Sequence, residues 1–229
     1  MCWSASTVTK GCLYKRTAEN SNMATCVIFG AGSELPSEIV LPEGELFIIA
    51  ADGGLTTLEK LGIAPDHIVG DLDSLDRTPT EADFTLLPHV KDTTDTFEAV
   101  RIGQEHGCDT FHIYGGTGGR LDHTLANIQL VVMLSKQKQS AFIYGRNYFM
   151  TAMTDCAITL PPRENGYVSV FAYSEICTGV NIRGLMYELE NAELRNDFAL
   201  GVSNEYIGKS AEISVKSGTL CIYCEDRVI

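Results

Sequence analysis

From Ala24 onward, apolar runs and turn residues alternate along the chain with a regular beat. Short runs rich in β-branched and aromatic residues lie at 25–29, 46–50, 67–70, 84–87 and 111–114, and each predicts a strand. Between them the period becomes that of a helix. Leu55, Leu58 and Leu61 recur at helical spacing and stop at Gly62, a natural C-terminal cap. Phe97, Val100 and Ile102 predict a helix over 95–106, capped by Thr93 or Thr94 and ended by Gly107. Leu125, Ile128, Leu130, Val131 and Leu134 predict a longer helix over 122–137. Wholly apolar strands alternating with helices predict a parallel sheet covered on both faces.

After Ser140 the pattern changes. Strand-like runs at 141–144, 148–153, 157–160, 167–172, 177–182, 212–215 and 220–224 follow one another through Gly, Asn and Pro-Pro turns, with no amphipathic helix. That spacing predicts an antiparallel sandwich or barrel. The expected fold class is an α/β N-terminal domain with a mainly parallel sheet, followed by an all-β sandwich C-terminal domain. The polar stretch 136–140 divides the two, so the domains are read as 23–139 and 140–229. Residues 1–22 are polar and aperiodic and precede a second methionine, Met23. They are read as a disordered leader, a tag or upstream sequence, outside the fold.

The 229 residues are 45% hydrophobic and 21% charged, a globular composition. No apolar run approaches the ~18 residues needed to span a bilayer, which argues against a membrane protein. The 30 acidic and 17 basic residues leave a net charge of −13. Such a chain, lacking any basic tract, is not built to grip a nucleic-acid backbone; it suits cations. Residues 50–125 carry 14 acids and 5 bases, so most of the excess charge lies in that third of the chain. The eight cysteines show no framework spacing, no Asn-x-Ser/Thr sequon occurs, and no apolar signal core opens the chain. Reduced thiols in a cytoplasmic protein are the expectation.

Three local patterns imitate known sites without completing them. Gly30-Ala31-Gly32 follows a strand, and Asp52 lies 20 residues past Gly32, as in a dinucleotide-binding turn. Leu35 stands where the third glycine belongs, so the segment reads as a plain two-glycine turn. Gly208-Lys209-Ser210 ends like a phosphate loop but has Ser203 where the partner glycine should be, and no helix follows. Cys221 and Cys224 have metal-knuckle spacing, yet residues three apart on a strand face opposite ways.

The acidic residues that carry chemistry sit just past the predicted strands. Asp52 follows the second, Asp71 and Asp73 the third, Asp92 and Asp95 the fourth, and Asp122 the fifth. In a parallel sheet those ends share one rim, where ligands bind. An aspartate after a strand often only caps a helix, but six on one rim repel unless a cation sits among them. Oxygen donors without His or Cys suit Mg²⁺, which also binds substrate phosphates. The loop Gly115-Gly116-Thr117-Gly118-Gly119-Arg120 supplies the complement: backbone N–H groups that can approach phosphate, a guanidinium, and a helix N-terminus behind them.

Ala51-Asp52-Gly53-Gly54, Gly70-Asp71-Leu72-Asp73-Ser74, Asp92-Thr93-Thr94-Asp95, the run from Gly115 to His123 with Asn127, and Ser203-Asn204-Glu205 occur in that order. Together they resemble the thiamine pyrophosphokinase family over residues 24–229. The resemblance implies transfer of a pyrophosphoryl group from ATP to the thiamine hydroxyl, giving thiamine diphosphate and AMP. It also implies Mg²⁺ and a homodimer with active sites at the subunit interface. By resemblance Asp71, Asp73 and Asp95 bind metal and, with Asp122, are the catalytic carboxylates. Asp52, Gly53, Asp92, Thr94, Gly115, Gly116, Thr117, Gly118, Gly119 and Arg120 face ATP. Ser203, Asn204 and Glu205 join Asp122, His123 and Asn127 on thiamine. Two positions depart from the family: Leu72 stands where an aromatic is frequent, and no tryptophan follows Ser203-Asn204. Tyr206 is then the candidate ring for stacking on thiamine. The identity of the general base stays open, and so do two other classes: a catalytically silent binding relative and an unrelated Mg²⁺-dependent phosphohydrolase.

Overall fold

The computed structural model of the protein describes residues 24–70, 83–87 and 92–225. The segment 1–22 and the carboxylates Asp71 and Asp73 lie outside them. The first half of the chain runs β1 (Thr25–Phe29), β2 (Leu46–Ala51), α1 (Gly54–Leu61), β3 (His67–Gly70), β4 (Asp83–Leu86), α2 (Asp95–Glu105), β5 (Thr110–Tyr114), α3 (Leu121–Lys136) and β6 (Ser140–Gly145). These strands pair in parallel in the order β6-β5-β1-β2-β3-β4. The winding therefore reverses between β1 and β5.

The strands are apolar on both faces because both faces are covered. Cys26 and Ile28 of β1 pack with Val100 of α2 and with Leu130 and Val131 of α3. Val27 and Phe29 face the other way, onto Leu55 and Leu58 of α1. The helices begin and end where local chemistry allows. The Thr94 hydroxyl accepts a 3.2 Å hydrogen bond from the Phe97 N–H and opens α2. Gly62, at φ 69°, closes α1 in the left-handed region.

The second half runs β7 (Tyr148–Thr154), β8 (Ala157–Leu160), β9 (Tyr167–Ala172), β10 (Ile176–Arg183), β11 (Leu189–Arg195), β12 (Gly201–Glu205), β13 (Ala211–Ser214) and β14 (Thr219–Glu225). β6 belongs to both halves: it lies parallel to β5 and antiparallel to β7. One ten-stranded sheet, β12-β9-β14-β7-β6-β5-β1-β2-β3-β4, thus spans the molecule. A four-stranded sheet, β11-β10-β13-β8, packs on its antiparallel half. The sandwich core joins Phe149, Val168, Val170 and Ile222 of the large sheet to Ile158, Val180, Ile182 and Ile213 of the small one.

Two strands, β11 and β12, escape the sequence pattern. Both are sheet edges. β11 reads LENAELR and exposes most of its side chains. β12 reads GVSNE and is interrupted by a bulge between Gly201 and Asn204. Edge strands are kept polar or bulged to discourage pairing with other chains, and this erases the alternation that marks interior strands. Among the described residues, no helix is long and apolar enough to cross a membrane.

Candidate active site

In a parallel sheet ligands favour the strand ends where the winding reverses, which here is between β1 and β5. The loop after β1, Gly30 to Glu34, lies backbone against backbone with the loop after β5, Gly115 to Gly119. The Gly30 N–H donates to the Tyr114 carbonyl (2.8 Å), Gly32 to Gly115 (2.8 Å), Glu34 to Thr117 (3.2 Å) and Ser33 to Gly118 (3.4 Å). The Ser33 hydroxyl also donates to the Gly118 carbonyl. Only glycine permits this approach. A Cβ on Gly32 would lie 2.5 Å from the Gly115 carbonyl oxygen, and one on Gly30 2.8 Å from it. The Gly30 turn, a plain connection by sequence, is therefore the backing of the β5 loop. Its signal was the Gly-x-Gly after the first strand, obscured by the absent third glycine.

The hydrogen bonding of the β5 loop is one-sided. The carbonyls of Gly115, Thr117 and Gly118 are engaged by the Gly30–Glu34 segment. Among the described residues, no hydrogen bond occupies the backbone N–H of Gly116, Thr117, Gly118 or Gly119. Open N–H groups immediately before a helix N-terminus suit phosphate oxygens. Asn127, buried in α3, holds this loop from beneath by donating from Nδ2 to the Gly116 carbonyl at 2.7 Å. Thr117 is buried too, with its hydroxyl accepting from the Tyr148 hydroxyl at 2.9 Å.

Arg120 precedes α3 with extended backbone. Its guanidinium forks onto Asp122, Nε to Oδ1 at 3.1 Å and Nη2 to Oδ2 at 2.5 Å. The exposed His123 contributes its backbone N–H to Asp122 Oδ1 at 3.0 Å. The hydrogen bond from Arg120 holds the Asp122 carboxyl below the usual carboxylate range, and Asp122 in turn raises the guanidinium. The fork leaves the Nη1 donors of Arg120 for another anion.

Asp52 and Gly53 extend the rim past β2. Asp52 adopts φ 52°, in the left-handed region, with its N–H on the Val69 carbonyl at 2.8 Å. It adjoins Gly70, where a Cβ would lie 3.4 Å from the Asp52 Cα, and Asp71 is the next residue along. Gly53 adjoins Ala31, whose Cβ is 3.2 Å from where a Gly53 Cβ would stand. The loops after β2, β1 and β5 are thus continuous. Thr94 and Asp95 form the N-terminus of α2, with Thr94 acting as its cap, and Asp92 is exposed just before it. Among the described residues, no three metal-ligating side chains gather. Asp52 and Asp95 have the hard-oxygen chemistry Mg²⁺ takes; the expected ligands Asp71 and Asp73 lie outside the described residues.

A family model described as the thiamin pyrophosphokinase catalytic domain matches residues 41–143, and one described as the thiamin pyrophosphokinase vitamin B1 binding domain matches 155–220. Thiamine pyrophosphokinase of Bacillus subtilis (strain 168) is 30% identical over 179 residues, covering 75% of this chain and 84% of that protein. The chain belongs to the thiamine pyrophosphokinase family. The crystal structure of the Bacillus subtilis enzyme matches 89% of this chain and 100% of its own, with TM-score 0.80 and 26% identity. That of the Geobacillus thermodenitrificans thiamin pyrophosphokinase matches 90% and 99%, with TM-score 0.78 and 26% identity.

The remaining expected residues lie within the segment matched by the vitamin B1 binding model, on β12. Ser203 is exposed, at φ 60°, with its N–H on the Ser169 hydroxyl at 3.1 Å. Asn204 is buried. Its Oδ1 accepts from the Tyr187 and Glu205 N–H groups, both at 2.9 Å, and its Nδ2 donates to the Tyr187 carbonyl at 2.6 Å. Glu205 is half-buried opposite Tyr167. Tyr206 is 3% exposed and packs in the sandwich core, so its ring is no surface for stacking. β12 stands five strands away from β5 in the sheet, roughly 24 Å at ~4.8 Å per strand. One subunit therefore brings together the loops after β1, β2 and β5 but not Ser203 to Glu205.

Proposed function

We propose that ATP binds at the strand ends of β1 and β5 and that thiamine is diphosphorylated there. As a member of its family, the protein is an ATP:thiamine diphosphotransferase that makes thiamine diphosphate and AMP. The observation that carries the placement is the β5 loop, whose carbonyls from Gly115 to Gly118 are tied down while its N–H groups stay open beside a helix N-terminus. The N–H groups of Gly116 to Gly119 hold phosphate oxygens, and Arg120, oriented by Asp122, offers its remaining donors to the same charge. Asp52, Gly53, Asp92 and Thr94 complete the nucleotide side of the rim. The thiamine hydroxyl oxygen attacks the β-phosphorus, the bond to the α–β bridging oxygen breaks, AMP leaves, and the hydroxyl proton passes to a rim carboxylate. Asp122 is kept ionised by Arg120, a poor proton acceptor, and its part is to set the guanidinium. Asp71, Asp73 and Asp95 would hold Mg²⁺, which would supply charge neutralisation at the phosphates.

Thiamine is held between the rim, with Asp122 and His123, and Ser203 and Glu205 of a second subunit, while the buried Asn127 and Asn204 shape these segments through their backbone hydrogen bonds. Two features support a homodimer. The single subunit leaves β12 far from those strand ends. Exposed apolar residues also lie on β12 and in the segments beside it: Met186, Tyr187, Phe198, Leu200 and Val202. A reducing cytoplasm suits the thiols, all free among the described cysteines. The test is to incubate the protein with Mg²⁺, ATP and thiamine. Equal amounts of AMP and thiamine diphosphate are expected; ADP with thiamine monophosphate, or no product, overturns the reading.

A further inference from the structure

The turn between β6 and β7 falls outside both matched family segments, yet it touches the phosphate loop. Gly145 faces Tyr148 across a two-residue turn of Arg146 and Asn147. The Tyr148 hydroxyl donates to Thr117 Oγ1 at 2.9 Å. Gly145 makes room for this reach, since a Cβ there would lie 2.7 Å from the Tyr148 hydroxyl oxygen, among the ring atoms. On its other side the Tyr148 ring packs against Tyr223 of β14, with centroids 5.1 Å apart. The same turn reaches the β1 loop through Arg146, 3.6 Å from Glu34, an exposed pair too loose to hold the loop alone.

We infer that Tyr148 is a positioning residue for nucleotide binding: through its hydrogen bond it sets the Thr117 hydroxyl and with it the phosphate loop. The inference rests on the β1 and β5 strand ends being the ATP site. A threonine hydroxyl has one proton to give. Because Tyr148 donates to Thr117, that proton is left for an acceptor, and a phosphate oxygen is the acceptor this loop would face. The loop's other ties, from Asn127 beneath and Gly32 and Glu34 alongside, all end on backbone carbonyls. Tyr148 alone among these ties fixes a side-chain donor. It also links that donor to the centre of the antiparallel half, through Tyr223.

The test is nucleotide affinity, measured by calorimetric titration of the full chain with a non-hydrolysable Mg²⁺–ATP analogue. Tyr148→Phe keeps the ring on Tyr223 and removes only the hydroxyl. It is expected to weaken analogue binding about fivefold, the effect of one hydrogen bond, with unchanged melting temperature and unchanged KM for thiamine. Thr117→Val should weaken binding at least as much. The double variant should be no weaker than Thr117→Val alone, because the two changes remove one interaction. Thr117→Ser, which keeps the hydroxyl, should restore most of the affinity. Gly145→Ala, which displaces the ring, should copy Tyr148→Phe. If Tyr148→Phe binds like the parent, or if its effect simply adds to that of Thr117→Val, the inference is overturned while the ATP site stands. If the parent itself binds no analogue, both readings are overturned.

Discussion

The parallel and antiparallel halves of the ten-stranded sheet place their polar groups in opposite ways. In the parallel half, β1 is buried throughout after its first residue, and the groups fit for chemistry begin one residue past the strand ends, at Gly30, Asp52 and Gly115. In the antiparallel half, burial alternates along β7, and β12 carries Ser203 and Asn204 within the strand itself. Coverage explains the difference. Helices lie over both faces of the parallel strands, so a ligand meets only their ends. The antiparallel strands bury one face in the sandwich and leave an edge open, so that edge can serve as a surface. One sheet thus carries polar groups past its strand ends in one half and within an edge strand in the other.

The largest effect should come from the rim. Asp71→Asn or Asp73→Asn should lower the rate of AMP formation on the order of a thousandfold, about 4 kcal/mol, with an undiminished melting temperature. Parental rates at saturating Mg²⁺ would remove the rim from the chemistry. Next is His112 of β5, whose Nδ1 lies 2.9 Å from the Tyr144 hydroxyl. Burial pushes its pKa down from 6.5 to about 4. Between those values the unfolded chain binds a proton that the folded chain refuses. Stability is therefore full above about pH 6.5 and declines as pH falls towards 4, by roughly 3 kcal/mol. His112→Gln should flatten this decline in urea melts; a variant with the parental slope would locate its source elsewhere.

The antiparallel half should respond more weakly. Asn204→Ala strands the Tyr187 backbone and should lower stability by roughly 2 kcal/mol, measured by thermal melting; a loss of activity without that destabilisation would instead make Asn204 a substrate ligand. The smallest effect expected is Leu200→Ser beside β12. It should raise the dimer dissociation constant about tenfold in sedimentation experiments, with little change in melting of the separated subunits. An unaltered constant would mean that the free edge of β12 is not the docking surface.

Interior strands were legible because covered strands must be apolar. The runs at 25–29 and 67–70 are strands at those bounds. β11 and β12 were not, since both are sheet edges, one largely exposed and the other broken by a bulge, and neither keeps the alternation of an interior strand. The glycine-rich loop was legible from its composition. The Gly30 turn was not, because a motif scan asks about neighbours in sequence, whereas Gly32 is glycine on account of Gly115, 83 residues later.

The sequence by itself determined the alternation of elements, the acidic rim past the strands and the family to which the chain belongs. Those depend on residue type and short spacing, which burial and backbone conformation dictate locally. Only the tertiary structure decided that β6 joins both halves into one sheet, that Asn127 and Asn204 turn inward to bind backbone, and that Tyr148 reaches Thr117. Each of these is a contact between residues distant along the chain, and its partner is chosen by how the strands pair and pack, not by the residues that flank it.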